Sequence, residues 1–145
     1  KLMATRNGFR LIFFLMLSFL TFGMQAQNVF VGKAGKEGKS LRKYIDPAEL
    51  KKIVDQPVDS IWIVDVRSAK TFENGHIPTA KSFPVTTIQE QLAQIPKEKY
   101  LILYCTVGGN AQVAAKKLKK AGYKRYINWG GLSRWPGEKE TRQPR

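Results

Sequence analysis

Leu101-Ile102-Leu103-Tyr104-Cys105-Thr106-Val107-Gly108-Gly109-Asn110-Ala111 is the stretch on which the fold turns. Four apolar or aromatic residues lead into the single cysteine of the chain, a Gly-Gly pair follows, and residues 111–121 are rich in Ala, Lys and Leu. That is the pattern of a buried strand, a tight loop and a helix. A cysteine at the carboxyl end of such a strand lies where backbone N–H groups converge on its sulfur. The helix N-terminus adds a partial positive charge of about half an elementary unit. Both effects favour thiolate over thiol, the reactive form. The competing reading is a buried structural cysteine, because free Cys is among the most buried residue types.

Composition narrows the setting. The 145 residues suffice for one domain with a proper core, and 43% hydrophobic against 25% charged residues is a globular balance. The formal net charge is +14, and the first 26 residues supply only Lys1, Arg6 and Arg10 of it. The remaining +11 belongs to the folded part and favours anionic partners. Nucleic acid is not expected among them, because no nucleic-acid motif and no interleaving of aromatics with Arg is present. The Lys116-Lys117-Leu118-Lys119-Lys120 run reads as a solvated helix face. One cysteine excludes an intramolecular disulfide, and one histidine beside it leaves no set of zinc ligands. No metal and no cofactor are expected. What remains is a free thiol.

Residues 1–27 read as a secretory signal peptide: Arg6 and Arg10, an apolar run over 11–22, then Gly23-Met24-Gln25-Ala26-Gln27 with a cleavage point after Ala26. Met3 is the expected start, with Lys1-Leu2 ahead of it a cloning remnant. The expected location is therefore periplasmic or secreted. An uncleaved N-terminal membrane anchor carrying an extracytoplasmic domain is the alternative, although the run is short for a span of about 20 residues. Residues 28–43, with three glycines and several lysines, read as a linker. The domain is expected over 44–137, with a polar frayed tail over 138–145.

Within the domain, Asp46-Pro47-Ala48-Glu49 has the cap, first-turn proline and acid of a helix start, and that helix is expected to reach about Val54. Ile61-Trp62-Ile63-Val64-Asp65-Val66 is a near-continuous apolar run, the mark of a strand buried on both faces. Its carboxyl end carries Asp65 and Arg67, where open α/β sheets place their sites. Phe72 falls in a short helix or turn ending at Asn74-Gly75, and an extended passage with one short strand runs over 76–84. Thr86 or Thr87 is expected to cap a helix carrying Ile88, Leu92 and Ile95, ended by Pro96. After the cysteine loop, a helix with Val113, Ala114, Leu118 and Ala121 inward is expected to stop at Gly122. Tyr126-Ile127-Asn128-Trp129 is a further strand, from which Gly130-Gly131 turn into a short helix holding Leu132 and Trp135. Alternating strands and helices predict an α/β fold, a central parallel sheet of about five strands with helices on both faces.

From about residue 44 to 137 the chain resembles a single rhodanese-like domain. The resemblance is carried by Asp65-Val66-Arg67, by Gly75-His76-Ile77-Pro78 with Ala80, by Tyr104-Cys105, and by Gly130-Gly131-Leu132 with Trp135. It implies a sulfurtransferase that takes a sulfane sulfur from thiosulfate or a persulfide, holds it as a cysteine persulfide, and yields it to a thiophilic acceptor such as cyanide or a thiol. By position Cys105 is the nucleophile. Thr106, Val107, Gly108, Gly109, Asn110 and Ala111 form the substrate-binding loop, whose N–H groups cradle the anionic sulfur without a metal. Asp65, Arg67 and His76 are supporting residues; His76 is a hydrogen-bonding residue rather than a general base.

The chain departs from the family pattern in three places. Many active members carry an arginine five positions after the cysteine and a basic residue directly after it, where this chain has Asn110 and Thr106. The acid that commonly partners the arginine of Asp65-Val66-Arg67 is Thr71, with Glu73 as a substitute. The glycine between Pro78 and Ala80 is Thr79. The first departure bears against thiosulfate as donor and motivates an alternative, a catalytically weak binding or sensing module. A cysteine phosphatase is disfavoured because the position six after Cys105 is Ala111, where that chemistry needs an arginine.

Overall fold

The computed structural model describes residues 30–141. The signal segment expected over 1–27 and the last four residues of the polar tail lie outside them. Among the described residues no helix is long and apolar enough to cross a membrane.

Among the described residues four strands form one parallel sheet: β1 (Ile61–Asp65), β2 (Lys81–Ser82), β3 (Tyr100–Cys105) and β4 (Tyr126–Gly131), in the order β2-β1-β3-β4. About five strands were expected. The fifth place, beside β4, is taken by an irregular stretch in which Ala34 makes an isolated antiparallel bridge to Ile127. Gly32, at φ +78°, precedes it, and this left-handed backbone interrupts an extended strand. Between β3 and β4 the register slips at Leu103/Tyr104: Leu103 pairs with Asn128 but Tyr104 with Gly130, so Trp129 is an extra residue on β4.

The α-helices are α1 (Pro47–Asp55), α2 (Ala69–Glu73) and α3 (Gly109–Lys120). Asp46 caps α1 as expected, its Oδ1 accepting the Ala48 N–H at 2.8 Å. Helices cover both faces of the sheet. On one face Val64, Leu101, Leu103 and Cys105 pack with Ala111, Ala114, Ala115 and Leu118 of α3. On the other, Ile63, Ile102, Tyr104, Ile127 and Trp129 pack with Leu50 and Val54 of α1 and with Leu41 and Tyr44. Gly122, at φ +87°, ends the turn after α3.

Several expectations need correction. Val113 is 45% exposed, not inward. At about 100° per residue the stripe facing the sheet is Ala111, Ala114, Ala115 and Leu118, and Val113 falls on the opposite side. No α-helix follows Thr86 or Thr87. The segment is a string of three-residue turns (Thr87 N–H to the Pro84 carbonyl, Glu90 to Thr87, Gln94 to Gln91) ending in a 3-10 turn at Leu92–Gln94. Lys117 Nζ donates to Val85 O at the start of the segment, and Tyr123 Oη contacts Leu92 O and Ile95 O at its end, so both ends are tied to α3 and the turn after it. Ile88 and Ile95 are nevertheless buried. The pair Gly130-Gly131 lies inside β4 rather than in a turn, and the short helix after it is a 3-10 turn at Leu132–Arg134.

Nor is the described part of residues 28–43 a linker. Gly38–Ile45 is a 3-10 helix burying Leu41 and Tyr44, and the indole N–H of Trp129 donates to the Tyr44 carbonyl at 2.7 Å. Its glycines and lysines hide one apolar residue per turn, which suffices once β4 offers a surface. The tail is likewise tied as far as Glu140, whose backbone exchanges two hydrogen bonds with His76 (2.9 and 3.0 Å).

Thr79 stands at φ +68°, the left-handed region that a β-branched residue disfavours. Its side chain is exposed, so the conformation rather than a contact is at issue. Thr79→Gly is expected to stabilise the protein by about 0.5–1 kcal/mol, strain relief outweighing the entropy glycine adds to the unfolded chain. Urea midpoints would check this; a less stable variant refutes it.

Candidate active site

Cys105 ends β3, is 2% exposed, and pairs with Gly131 of β4. The chain then rises as Thr106 and Val107, both exposed, and returns inward at Gly108. Gly108 takes φ +98°. That turn aims its N–H back at Cys105 Sγ, 3.0 Å away. It also makes Gly108 the N-cap of α3, so the sulfur sits beneath the positive end of a 12-residue helix.

The loop is held from β4. The Asn128 side chain is fully buried; its Nδ2 donates to the Gly108 carbonyl at 3.0 Å, and its Oδ1 accepts the Gly130 N–H at 2.9 Å. Gly131 has an ordinary φ of −110°, so what it supplies is space. A Cβ there would lie 2.4 Å from Thr106 O and 2.9 Å from Val107 Cα.

The expected supporting residues gather at the end of β1. Asp65 (0% exposed) accepts from the Arg67 backbone N–H at 2.9 Å, from Nε at 3.0 Å and from Nη2 at 2.5 Å, while Nη2 also donates to Gly75 O at 2.7 Å. Burial alone would lower the Arg67 pKa, but the Asp65 carboxylate outweighs it and holds the guanidinium above its usual value. Asp65 faces Tyr104 across the β1–β3 ladder. Burial first, and the Asp65 carboxylate second, push the Tyr104 phenol far above its usual range, so it stays neutral. Its Oη accepts the Ile77 N–H at 3.0 Å. Asp65 and Arg67 thus brace the residue before the cysteine, with Gly75 and Ile77 drawn in.

His76 is turned elsewhere. Its ring stacks on Phe72 at 3.6 Å, its Nδ1 meets the Phe72 carbonyl at 2.8 Å, and its Nε2 lies 3.8 Å from Glu140 Oε2. It lines a groove of about 600 Å³ at the β2 edge, together with Trp62, Lys81 and Ser82 and none of residues 105–111.

Of the loop residues, Gly108 and Ala111 are buried, Gly109 is half-buried, and Thr106, Val107 and Asn110 are exposed. No side chain from 106 to 111 is cationic. Two functional positions escape sequence reasoning: the Asn128 clamp and the Tyr104 hydroxyl. A polar residue inside the apolar run at 126–129 was the available signal for the first, since a buried amide requires partners.

A family profile, that of the rhodanese-like domain, matches residues 46–138. The chain belongs to this family. Among curated rhodanese-type relatives, a sulfurtransferase of Allochromatium vinosum is 31% identical over 78 residues, covering 53% of this chain and 73% of that protein. A tRNA sulfurtransferase of Desulfurococcus amylolyticus is 34% identical over 97 residues, covering 66% of this chain but 19% of that protein. The chain thus spans 73% of the length of the one relative and 19% of the other. A rhodanese-like domain protein from Staphylococcus aureus superposes with a TM-score of 0.58 at 27% identity, covering 67% of this chain and 95% of that one.

Proposed function

We propose that this rhodanese-like protein moves a sulfane sulfur through a persulfide on Cys105. The observation that carries the reading is the sulfur at the carboxyl end of β3, receiving the Gly108 N–H at 3.0 Å under the head of α3. The Cys105 thiolate attacks the outer sulfur of a donor. With thiosulfate the S–S bond breaks and sulfite leaves; with a persulfide donor a thiolate leaves. Either way Cys105 becomes a persulfide whose terminal sulfur keeps the negative charge. An acceptor then takes that sulfur, cyanide becoming thiocyanate, and the thiolate returns. The Gly108 N–H points at the sulfur and is fixed in place before the donor arrives. The first 27 residues add that the protein works outside the cytoplasm.

With no cation between Thr106 and Ala111, the loop suits a persulfide better than dianionic thiosulfate, whose second charge meets no fixed partner there. Incubation with each donor followed by intact mass measurement tests the reading. A gain of one sulfur is expected, removed by cyanide and wholly absent in Cys105→Ser. If neither donor gives an adduct, the sulfur-transfer reading fails in favour of a binding module.

A further inference from the structure

The outward face of α3 joins two kinds of surface, one aliphatic and one basic. With 3.6 residues per turn, Gly109, Val113, Lys116 and Lys120 form one stripe, starting at the cysteine loop and running away from it. Val113 is 45% exposed and Val107 53%; with Val58 they are the exposed large aliphatics among the described residues. Beyond them Lys116, Lys119 and Lys120 are exposed, and their side chains form no ion pair or hydrogen bond among the described residues. Lys117 alone is engaged, at the Val85 carbonyl. Residues 99–137 contain no Asp or Glu at all. The acids that pair lie elsewhere: Glu49 with Lys52, Asp55 with Lys51, Asp59 with Lys99, Glu37 with Arg125, Asp65 with Arg67 and Glu140 with His76. An aliphatic spot beside the loop therefore opens onto an uncompensated basic stripe.

Resting on the sulfur-transfer reading, we propose that this face docks an acidic polypeptide segment that carries the sulfur to or from Cys105. An aliphatic side chain of the partner sits against Val107 and Val113, and its carboxylates face Lys116 and Lys120. Charge complementarity steers the encounter, and the apolar contact fixes the partner over the loop. It also accounts for a loop without cations: a donor recognised through its polypeptide does not need its sulfur anion gripped by a guanidinium. Nucleic acid fits less well, because residues 106–121 offer neither an arginine nor an aromatic ring for a base to stack on.

The probe is a short Glu/Asp-rich peptide with a leucine beside one cysteine, used in two forms. A form with serine in place of the cysteine reports binding by fluorescence anisotropy; a persulfidated form reports loading of Cys105 by mass. Against a peptide with Gln and Asn replacing its acids, the acidic peptide is expected to bind at least about tenfold more tightly at low salt. The double variant Lys116→Glu with Lys120→Glu loses that advantage, while loading by a small persulfide such as cysteine persulfide stays at the wild-type rate. Should the reversal unfold the helix, Lys116→Gln with Lys120→Gln is expected to lose a measurable part of it. Equal binding of acidic and neutral peptides, or full binding by the variants, overturns the proposal. So does a single-stranded oligoribonucleotide of equal charge that binds this face more tightly than the peptide. If the lysines govern peptide binding but no donor loads Cys105, the docking face stands and the sulfur-transfer reading is what falls.

Discussion

Asp65→Ala is expected to cost about 3–5 kcal/mol of stability, the range for removing one partner of a buried ion pair. Asp65 is completely buried and Arg67 is 8% exposed. Without the carboxylate the guanidinium keeps its hydrogen bond to Gly75 O but has no counter-charge. The loss is a large part of the roughly 5–15 kcal/mol that a typical domain holds in total. Urea unfolding of wild type and variant measures it. A second variant separates pairing from packing: Asp65→Ala with Arg67→Met should regain most of the loss, because the stranded charge is gone. A loss under about 1 kcal/mol for Asp65→Ala alone would mean that water reaches Arg67 and that the brace behind Tyr104 is not a buried pair.

The second large effect is expected on activity. Gly131→Ala places a methyl group 2.4 Å from Thr106 O and 2.9 Å from Val107 Cα. Both obstacles are backbone atoms of the loop, so the loop itself must move, at a cost of about 1–3 kcal/mol. Displacing Thr106 and Val107 also shifts Gly108, the residue whose N–H reaches Sγ. Sulfane loading of Cys105 is expected to slow roughly 10- to 100-fold. Stopped mass measurements at one donor concentration give the rate, with urea midpoints confirming that the variant is folded. Because φ at Gly131 is −110°, alanine brings no backbone penalty of its own. Wild-type loading by a folded variant would show that the loop is free to relax away from β4.

How far the sequence discloses such features depends on whether their cause is local. The cap at Asp46, the apolar runs of β1 and β3 and the stop at Gly122 each depend on a few neighbouring residues, and each lies where it was expected. The cysteine loop was legible for the same reason: strand, glycines and helix follow one another directly. Failures come where a distant partner decides. Residues 38–45 look polar until β4 and the Trp129 indole cover their apolar side. The helix expected after Thr87 gives way to successive turns, whose ends meet Lys117 and Tyr123 from elsewhere in the fold. Asn128 reads as one more strand residue until Gly108 is brought beside it, 20 positions away in the chain. His76 reads as a hydrogen-bonding residue from its place beside Pro78 in a connecting segment, and its Nδ1 meets the Phe72 carbonyl.

The slip in pairing between β3 and β4 makes the site a matter of counting. Straight pairing onward from Leu103 with Asn128 would set Trp129 opposite Tyr104 and Gly130 opposite Cys105. With one residue looped out, Trp129 is spent on the core and the two glycines arrive opposite Tyr104 and Cys105. The strand can thus carry a bulky aromatic just before its last two residues and still present bare backbone to the reactive loop. Its length is consequently less forgiving than its composition. Loss of one glycine from the pair would either pull Trp129 out of its place or draw Leu132 up to the position where even a methyl group has no room.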